Sequence, residues 1–358
     1  MLTRVEKLRQ ALSDNGLDGF LVTNLTNCRY LSGFTGSTGW LLITKSLAGI
    51  AVDSRYVEQA RRECPEFVLM PIKGCFPDWF FELATGTGAV KWGVEPSDIS
   101  MSAYQQMTEK IARDRLPLQL ISTSSMVESI RAAKEPGEIE KMTQAAQLTD
   151  RAFEHALSVV RPGMTERQLA WEIEKFLREN GSDTVPFEVI AASGPNAAMP
   201  HGRPTERVIG TGEPILLDFG ARVAGYCSDF TRTICLGEPD AALLKIHTMV
   251  LGAQLTALTT MEAGMTGEQA DQLARTVIDA GGYADAFGHG LGHGVGLDVH
   301  EPPRLGTRST DVLRQGMTFT IEPGIYIPGW GGVRIEDTVV MEDRRVRPLT
   351  TARKALRV

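Results

Sequence analysis

Apolar positions in the first third of the chain alternate between the spacing of helices and that of strands. The N-terminal segment carries apolar residues at helical intervals, and GFLVT (19–23) comes next as a short buried strand. Further strands are predicted at GWLLIT (39–44), AGIAVD (48–53), FVLMPI, KWGVE and LQLIST (118–123), and helices over 54–64, 77–85 and 101–114. Asp53 or Ser54 is the predicted N-cap of the helix at 54–64. This alternation predicts a compact α/β domain over residues 1–127.

The pattern changes in the remainder of the chain, residues 128–358. A mostly helical stretch is interrupted at Pro136–Gly137, because proline cannot continue a helix that began before it. The next blocks are a helix at 166–180, strands within 185–236, two helices within 240–281 and strands within 283–340. This order predicts one α+β domain made of two similar halves, although no sequence repeat marks them.

Composition and charge narrow the class of protein. A net charge of −7 and a pI of about 5.5 argue against a nucleic-acid partner. The five cysteines are odd in number and form no CxxC pair, so neither a disulfide framework nor a thiolate zinc site is indicated. The charged N-terminus lacks a signal-peptide core, and no apolar run approaches the length of about 18 residues that spans a bilayer. We therefore expect a soluble cytoplasmic protein that contacts no membrane.

Acidic residues interrupt apolar, strand-like runs in the second domain. Asp218 lies in PILLDFG, and Asp229 comes after a predicted turn at Gly220–Gly225, so that the two would lie on the strands of one hairpin. Glu322 lies in a third such run, TFTIEPGIYI, and Glu336 in a fourth, GGVRIEDTVVM. Each acid alone could face water or form a salt bridge. Together they indicate a shared site.

Four buried carboxylates need a source of positive charge, because an unpaired ionised acid is very costly to bury. The arginines near them in the sequence, Arg222, Arg232 and Arg334, cannot match all four. One or two divalent cations would, and oxygen ligands with one imidazole suit Mn²⁺, Co²⁺, Fe²⁺ or Zn²⁺. Two such ions bridged by carboxylates would lie about 3.5–4 Å apart.

The segment HGLGHGVGLDVHE (289–301) holds a cluster of histidines that could complete this site. His289 and His293 have the i, i+4 spacing of a helical metal pair. The glycines between and before them would cost a helix about 1 kcal/mol each. We therefore predict a strand or loop here.

LLDFG, SDFTRT, HGLGHGVGLDVHE, TIEPGIY and VRIEDTVV, in this order, resemble the motifs of the pita-bread metallopeptidases. That family includes methionine aminopeptidase, Xaa-Pro aminopeptidase (aminopeptidase P) and prolidase (Xaa-Pro dipeptidase). NCRYLSGFTGSTG and AVDSRYVEQA in the N-terminal third are similar to the creatinase-like domain of the Xaa-Pro branch. The resemblance implies a C-terminal pita-bread fold preceded by a smaller creatinase-like α/β domain.

The resemblance also implies the site residues. The implied ligands of two divalent ions, with Mn²⁺ favoured over Co²⁺ or Zn²⁺, are Asp218, Asp229, His293, Glu322 and Glu336. The implied roles around them are Glu322 as general base, His300 at the oxyanion, His289 and His201 on the substrate, and Arg334 and Tyr326 as supporting residues.

The substrates implied are peptides with proline in the second position, and relatives are often homodimers. A dipeptidase must hold the free carboxylate of proline, and Arg304 could do so. The segment NCRYLSGFTGSTG looks more like aminopeptidase P, so we expect an Xaa-Pro aminopeptidase, with prolidase as the alternative. Methionine aminopeptidase, a non-catalytic peptide-binding homologue and a mononuclear iron oxygenase are weaker alternatives.

Overall fold

A computed structural model describes residues 2–358, and the chain divides into two compact units. The first ends at Arg131 and the second spans Ala132–Val358. The helices of the first unit are α1 (Arg4–Asp14), α2 (Leu25–Ser32), α3 (Val57–Glu63), α4 (Asp78–Thr85), α5 (Met101–Asp114) and α6 (Met126–Arg131). Its strands are β1 (Gly19–Val22), β2 (Trp40–Thr44), β3 (Ala48–Val52), β4 (Val68–Pro71), β5 (Lys91–Val94) and β6 (Gln119–Ser122).

These strands form one mixed sheet in the order β4-β3-β2-β1-β5-β6. β1, β2 and β3 pair antiparallel, whereas the β3–β4, β1–β5 and β5–β6 pairs are parallel. Every residue of β1 is buried, as expected of a strand with both faces covered. The predicted strands are all present, but the helix α2 was not predicted.

The predicted cap of α3 is wrong. The helix starts at Val57 with Tyr56 at the N-cap and no side-chain cap, so neither Asp53 nor Ser54 fills that role. The Asp53 carboxylate instead accepts hydrogen bonds from the backbone and the guanidinium of Arg55, which ties it into the turn before the helix.

Helices and strands alternate in the second unit as the sequence predicted. Its helices are α7 (Pro136–Val159), α8 (Glu166–Glu179), α9 (Ala241–Thr260) and α10 (Gly267–Ala280). Its strands are β7 (Ile190–Ser193), β8 (Ile215–Phe219), β9 (Arg222–Val223), β10 (Tyr226–Cys227), β11 (Phe230–Ile234), β12 (Gly292–Gly294), β13 (Glu301–Leu305), β14 (Thr318–Ile321), β15 (Gly324–Ile327), β16 (Gly331–Arg334), β17 (Glu336–Glu342) and β18 (Arg345–Pro348).

The main sheet of this unit runs in the order β13-β12-β14-β17-β11-β8-β7, with β18 added on β17. Its neighbouring strands are antiparallel, and one face packs against the helices. Ile215, Leu217 and Phe219 of β8 share a core with α7 and α8. Phe319 and Ile321 of β14 share another with α9 and α10. Because successive side chains of a strand point to opposite faces, the residues between them face away from the helices.

The face turned away from the helices is rich in polar side chains. Asp218 follows Leu217 on β8, and Thr231 of β11 lies opposite Asp218. Glu336 lies opposite Thr231 on β17, and Thr320 lies on β14. Strand periodicity therefore collects carboxylates and hydroxyls on one side of the sheet, while the side that packs against the helices is mostly apolar.

The helix α9 departs from one expectation. Among the described residues, Ala241–Thr260 is a helix long and apolar enough, by length and composition, to cross a membrane, so the expectation that no run reaches that length is wrong for this segment. Its buried residues include Leu243, Ile246 and Val250, which pack in the core with α10 and the sheet. An apolar helix that packs one face into a core can thus pass the same length and composition test as a membrane span.

Two helix starts show the predicted likeness of the two halves. In each half the N-cap threonine forms an isolated β-bridge with a residue of a loop. The backbone N–H of the residue after the threonine donates a hydrogen bond to a carbonyl of the same loop. The pairs are Thr165–Val208 and Glu166 N to Arg207 O (3.1 Å) in the first half, and Thr266–Val312 and Gly267 N to Asp311 O (2.7 Å) in the second.

Candidate metal centre

The four predicted acids meet on the polar face of the main sheet, but only two of them lie within strands. Asp218 is in β8 and Glu336 begins β17. Asp229 immediately precedes β11, and Glu322 immediately follows β14, so the strand placement predicted for these two is wrong. The N–H of Asp229 donates to the side-chain hydroxyl of Thr338 (3.0 Å) rather than to a backbone carbonyl of the neighbouring strand. The backbone hydrogen bonding between the strands therefore stops at Asp229.

His293 joins the acids from β12, in the extended conformation that its glycine neighbours favoured. Its Nε2 lies 3.3 Å from Glu322 Oε1 and 3.6 Å from Asp229 Oδ2. One ligand atom each from Asp229, His293 and Glu336 lies within 4.8 Å of the others. The structure thus brings Asp229, His293 and Glu336 together as one possible metal-binding group, with Glu322 beside His293 and Asp218 lining the same cavity.

The tautomer of His293 follows from its other ring nitrogen. Nδ1 lies 3.1 Å from the carbonyl oxygen of Gly294, and a carbonyl can only accept, so Nδ1 carries the proton. Nε2 then faces the oxygens of two carboxylates. A cation or a proton must lie between them, and this is the arrangement of a metal ligand oriented by its second nitrogen.

Burial and mutual repulsion disturb the acids strongly. Burial, and then repulsion from Glu336, Asp218 and Glu322, raises the pKa of Asp229 well above its usual value. The pKa of Glu336 is raised in the same way, by burial and then by Glu322 and Asp218. Burial raises the pKa of Glu322 to about 7 and also raises that of Asp218, whose shift is opposed by Arg334. Without added positive charge, these groups retain protons that an ordinary acid would lose.

Arg334 binds several parts of the site at once. Its guanidinium donates to Asp218 Oδ2, to the hydroxyl of Thr231 (3.0 Å), to the hydroxyl of Tyr326 (2.8 Å) and to the carbonyl of Pro200 (3.2 Å). The Thr231 hydroxyl in turn donates to Glu336 Oε2. Arg334 therefore orients two of the acids, which agrees with its predicted supporting role.

His289 is held by Tyr326, which lies behind it. His289 Nδ1 lies 2.8 Å from the Gly290 carbonyl and so carries the proton, and Nε2 accepts from the Tyr326 hydroxyl at 2.9 Å. That hydroxyl accepts in turn from Arg334. With both nitrogens engaged, His289 can meet a substrate only through its ring face.

The remaining histidines line the cavity more freely. The ring of His300 lies 4.2 Å from that of His293, centre to centre, and His201 is exposed. Burial, and then the neighbouring His293 and His201, lowers the pKa of His300 to about 4. His300 is therefore a neutral imidazole at physiological pH, with one N–H to donate.

These residues line a cavity of about 490 Å³ that opens over the acids. Its apolar wall includes Phe187, Ile190, Val299 and Leu305, and its polar rim includes Glu188, Arg203 and Arg304. Glu188 and Arg203 form an exposed ion pair at 3.0 Å. The Arg304 guanidinium forms no ion pair with any of residues 2–358.

The donor set fits a divalent metal. Asp218 Oδ1 is buried without a hydrogen-bond partner among the described residues, although the other oxygen of the same carboxylate is paired. A buried carboxylate oxygen without a donor calls for a cation. Carboxylate oxygens with one imidazole are ligands that Mn²⁺, Co²⁺ and Zn²⁺ accept.

Sequence reasoning missed the residues that hold the ligands and shape the rim. Thr231 and Thr320 donate to Glu336 and Glu322, at 2.5 and 3.0 Å. The signal was present, since threonines occupy every second position in FTRTI and TFTI. Phe187, Glu188 and Arg203 had no such signal, because their positions depend on a loop whose path the sequence does not reveal.

Comparison with known proteins gives consistent results over the whole chain. Residues 140–343 match the model of metallopeptidase family M24, and residues 4–133 match the creatinase/prolidase N-terminal domain. A solved structure of the Xaa-Pro dipeptidase from Bacillus anthracis is 42% identical, with a TM-score of 0.95 over 99% of both chains.

An X-Pro aminopeptidase structure from Thermotoga maritima is 36% identical, with a TM-score of 0.88 over 98% of this chain and 100% of that one. The Xaa-Pro dipeptidase of Pyrococcus furiosus is 34% identical over 99% of this chain and 100% of its own length.

Proposed function

Because the chain belongs to metallopeptidase family M24, we propose that it hydrolyses the peptide bond before proline, with Xaa-Pro dipeptides as its preferred substrates. Relatives of similar length include both Xaa-Pro dipeptidases and an X-Pro aminopeptidase. The two activities differ in the group after proline, which is a free carboxylate in one case and a continuing chain in the other.

One observation carries the choice of dipeptides. Arg304 lies on the cavity wall with no ion pair among residues 2–358, whereas Arg203 on the same rim is paired with Glu188. A guanidinium can bind a carboxylate through two parallel hydrogen bonds. Arg304 is thus free to hold the carboxylate of a C-terminal proline, and this departs from the aminopeptidase preference drawn from the sequence.

We propose two divalent ions, Mn²⁺ first among the candidates, held by Asp218, Asp229, His293, Glu322 and Glu336. Four ionised carboxylates and the one guanidinium of Arg334 leave three negative charges in the centre. A single divalent ion would leave one of these negative charges uncompensated. Two divalent ions supply enough positive charge to neutralise all three. When bound, such ions polarise a peptide carbonyl and make water acidic enough to act as a nucleophile near neutral pH.

The chain's own side chains would complete the reaction. Glu322, whose Oε1 lies 3.3 Å from His293 Nε2 among the proposed metal ligands, would take a proton from the attacking water and return it to the leaving nitrogen. His300, neutral at physiological pH, would donate its N–H to the oxyanion. His201 and the ring face of His289 would bound the substrate.

Proline suits this cavity because its nitrogen, within a peptide, has no hydrogen to donate. The walls formed by Ile190, Val299 and Leu305 offer apolar contacts to a pyrrolidine ring and no obligatory acceptor.

Substrate length tests the proposal. Xaa-Pro dipeptides and matching Xaa-Pro-Xaa-Xaa tetrapeptides would be compared by kcat/KM on Mn²⁺-loaded protein. We expect the dipeptide to be preferred, and Arg304→Met to remove that preference by raising KM for the dipeptide alone. Arg203→Met is the matched control, since its cation is already paired.

A tetrapeptide cleaved as fast as the dipeptide would instead identify an Xaa-Pro aminopeptidase. No hydrolysis of any peptide by the metal-loaded protein would indicate a binding homologue.

A further inference from the structure

The carboxylate of Glu166, the first residue of α8, is fully buried, at 0% exposure, and lies outside the acid cluster. Both of its oxygens accept several hydrogen bonds. Oε1 accepts from Ser193 N (2.7 Å), Ser193 Oγ (2.9 Å) and Asn196 Nδ2 (3.2 Å), and Oε2 accepts from Thr205 N (3.0 Å), Thr205 Oγ1 (2.7 Å) and Asn196 Nδ2 (3.1 Å). No positive side chain donates to it directly among residues 2–358, but Arg207 donates to the Ser193 hydroxyl (2.6 Å) and is close enough to attract the Glu166 carboxylate.

The donors come from both ends of one loop. Ser193 and Asn196 precede His201 in the chain, and Thr205 follows it. Within the loop, Met199 N donates to Asn196 O (3.1 Å) and Gly202 N donates to Met199 O (2.9 Å), so the path is a series of turns rather than a strand. Glu166 closes this loop, which we call the 193–205 loop, at its base.

The 193–205 loop has a second anchor at its tip, where Arg334 donates to the carbonyl of Pro200. His201, the next residue, is exposed on the cavity wall, and its imidazole makes no hydrogen bond to any of residues 2–358. Its place over the acids is therefore set by the backbone that carries it, and that backbone is set by Glu166 and Arg334.

The second half of the domain shows that the helix start itself does not require this acid. The residue at the same position of α10 is Gly267, and a side chain there would collide with the carbonyl oxygen of Arg304, 2.0 Å from an ideal Cβ. The backbone bonds between helix and loop are the same in both halves. The Glu166 side chain is therefore not needed to start the helix, because Gly267 starts α10 without a side chain. Its hydrogen bonds to the loop need another explanation.

We propose that Glu166 is a positioning residue for His201 in peptide hydrolysis. This rests on the proposed function to the extent that His201 contacts the substrate. It makes a specific claim about coupling: Glu166 acts on catalysis through His201, and not through the metal ligands or through general stability.

A double-mutant cycle tests that claim. Glu166→Gln keeps the shape of the side chain but replaces one carboxylate oxygen, which accepts hydrogen bonds, by an amide nitrogen, which donates them. That nitrogen would face the N–H and O–H donors of the loop. A misplacement of about 1 Å can lower a rate by about 10²-fold, so we expect a loss of that order in kcat/KM with metal content unchanged. In a His201→Ala background the same substitution should change kcat/KM by less than about 3-fold, because its target is gone.

Hydrogen exchange supplies a readout besides activity. Amides of residues 196–205 should exchange faster in Glu166→Gln, with or without Mn²⁺, while those of β8 and β11 keep their protection. Asp150→Asn is the matched control, because Asp150 also accepts from a backbone N–H and the hydroxyl of one threonine, Thr351, at 2.8 and 2.9 Å. It should leave both kcat/KM and the exchange of the loop unchanged.

Equal losses in the two backgrounds, or a His201→Ala variant as active as the wild type, would overturn the proposal. If Glu166→Gln does not fold, Thr205→Val removes one hydroxyl donor and takes its place in the cycle. The cycle is run on whichever peptide the wild-type enzyme cleaves fastest. Failure to cleave proline peptides would reject the proposed function, and unchanged hydrogen exchange of residues 196–205 in Glu166→Gln would separately overturn the role of Glu166.

Discussion

Arg334 and Asp218 form a buried ion pair that uses only one of the two carboxylate oxygens. Arg334 donates to Oδ2, while Oδ1 is buried with no hydrogen-bond partner among residues 2–358. The arginine thus fixes the orientation of the carboxylate and leaves its second oxygen available. This is the geometry of an acid prepared for a cation by a neighbour that is not itself a ligand.

Replacing Arg334 by lysine tests that geometry. The guanidinium reaches Asp218, Thr231, Tyr326 and Pro200 together, and a single ammonium group cannot. We expect Arg334→Lys to lower metal affinity or kcat by about 10- to 100-fold. Titration with Mn²⁺ followed by activity assays would measure both. Arg203→Lys on the cavity rim is the control, and an Arg334→Lys enzyme of wild-type affinity and rate would contradict the prediction.

Glu336 and Asp337 are adjacent in sequence but face opposite sides of β17, so their substitutions should have opposite effects. Asp337 pairs with Arg232 and Lys354 at 2.7 Å each, on the helix side, and its pKa is lowered despite burial. Asp337→Asn should cost about 3 kcal/mol of stability, because it leaves the buried Arg232 and the partly buried Lys354 without their carboxylate.

Glu336→Gln should instead abolish metal binding without lowering the Tm of the metal-free protein, since it removes an acid crowded by Glu322 and Asp218. Calorimetry and metal analysis of both variants measure the two effects. A Glu336→Gln protein that melts well below the metal-free wild type would refute this assignment.

The effect of metal on stability should depend on pH. Burial raises the pKa of Glu322 from 4.5 to about 7, so the folded metal-free protein holds a proton that the unfolded chain releases. Its stability therefore falls as pH rises from about 4.5 to 7, by up to about 3 kcal/mol for this group. Metal ions replace those protons, so the rise in Tm on adding Mn²⁺ should be larger at pH 8 than at pH 5.5.

Melting curves with EDTA and with Mn²⁺ at the two pH values provide the measurement. Asp229→Ala should show little rise at either pH and no activity, because it removes a central ligand. If the rise in Tm of the wild-type protein on adding Mn²⁺ is the same at both pH values, metal binding at these acids is contradicted.

His300 should matter to turnover but not to metal content. Its imidazole lies beside His293 without binding the acids, and its pKa of about 4 keeps it neutral. His300→Ala should retain its metal and lose about 10²-fold in kcat, the loss typical of an oxyanion donor. Unchanged kinetics would remove His300 from the mechanism.

Strand and helix periodicity accounts for most of the features that the sequence predicted correctly. The α+β fold with its creatinase-like and pita-bread parts is confirmed by the family matches and by the similar solved structures. The acids were found because charges stand out in apolar strands. The homodimer, the choice of Mn²⁺ and the cytoplasmic location stay predictions.

The features that the sequence did not reveal depend on which residues meet across long separations. Arg232 was a candidate partner of the site acids, but it lies on the helix side and binds Asp337. By contrast, the sequence did predict that His289 and His293 form no helical metal pair: His293 lies in a strand and is the one of the two that reaches the acids. Glu166 is also invisible to pattern analysis, since Thr165 and Gln168 make it look like an ordinary residue in a capped helix start.

The alternation of side chains along the sheet has a consequence for changing this enzyme. Ile215, Leu217 and Phe219 belong to the packed interior, while their neighbours Leu216 and Asp218 lie on the side of the reaction. All five residues of β8 are buried, so substitutions on its two faces should fail in different ways. A change at Leu217 should lower stability, whereas a change at Asp218 should lower metal binding and activity while the helix side keeps its packing.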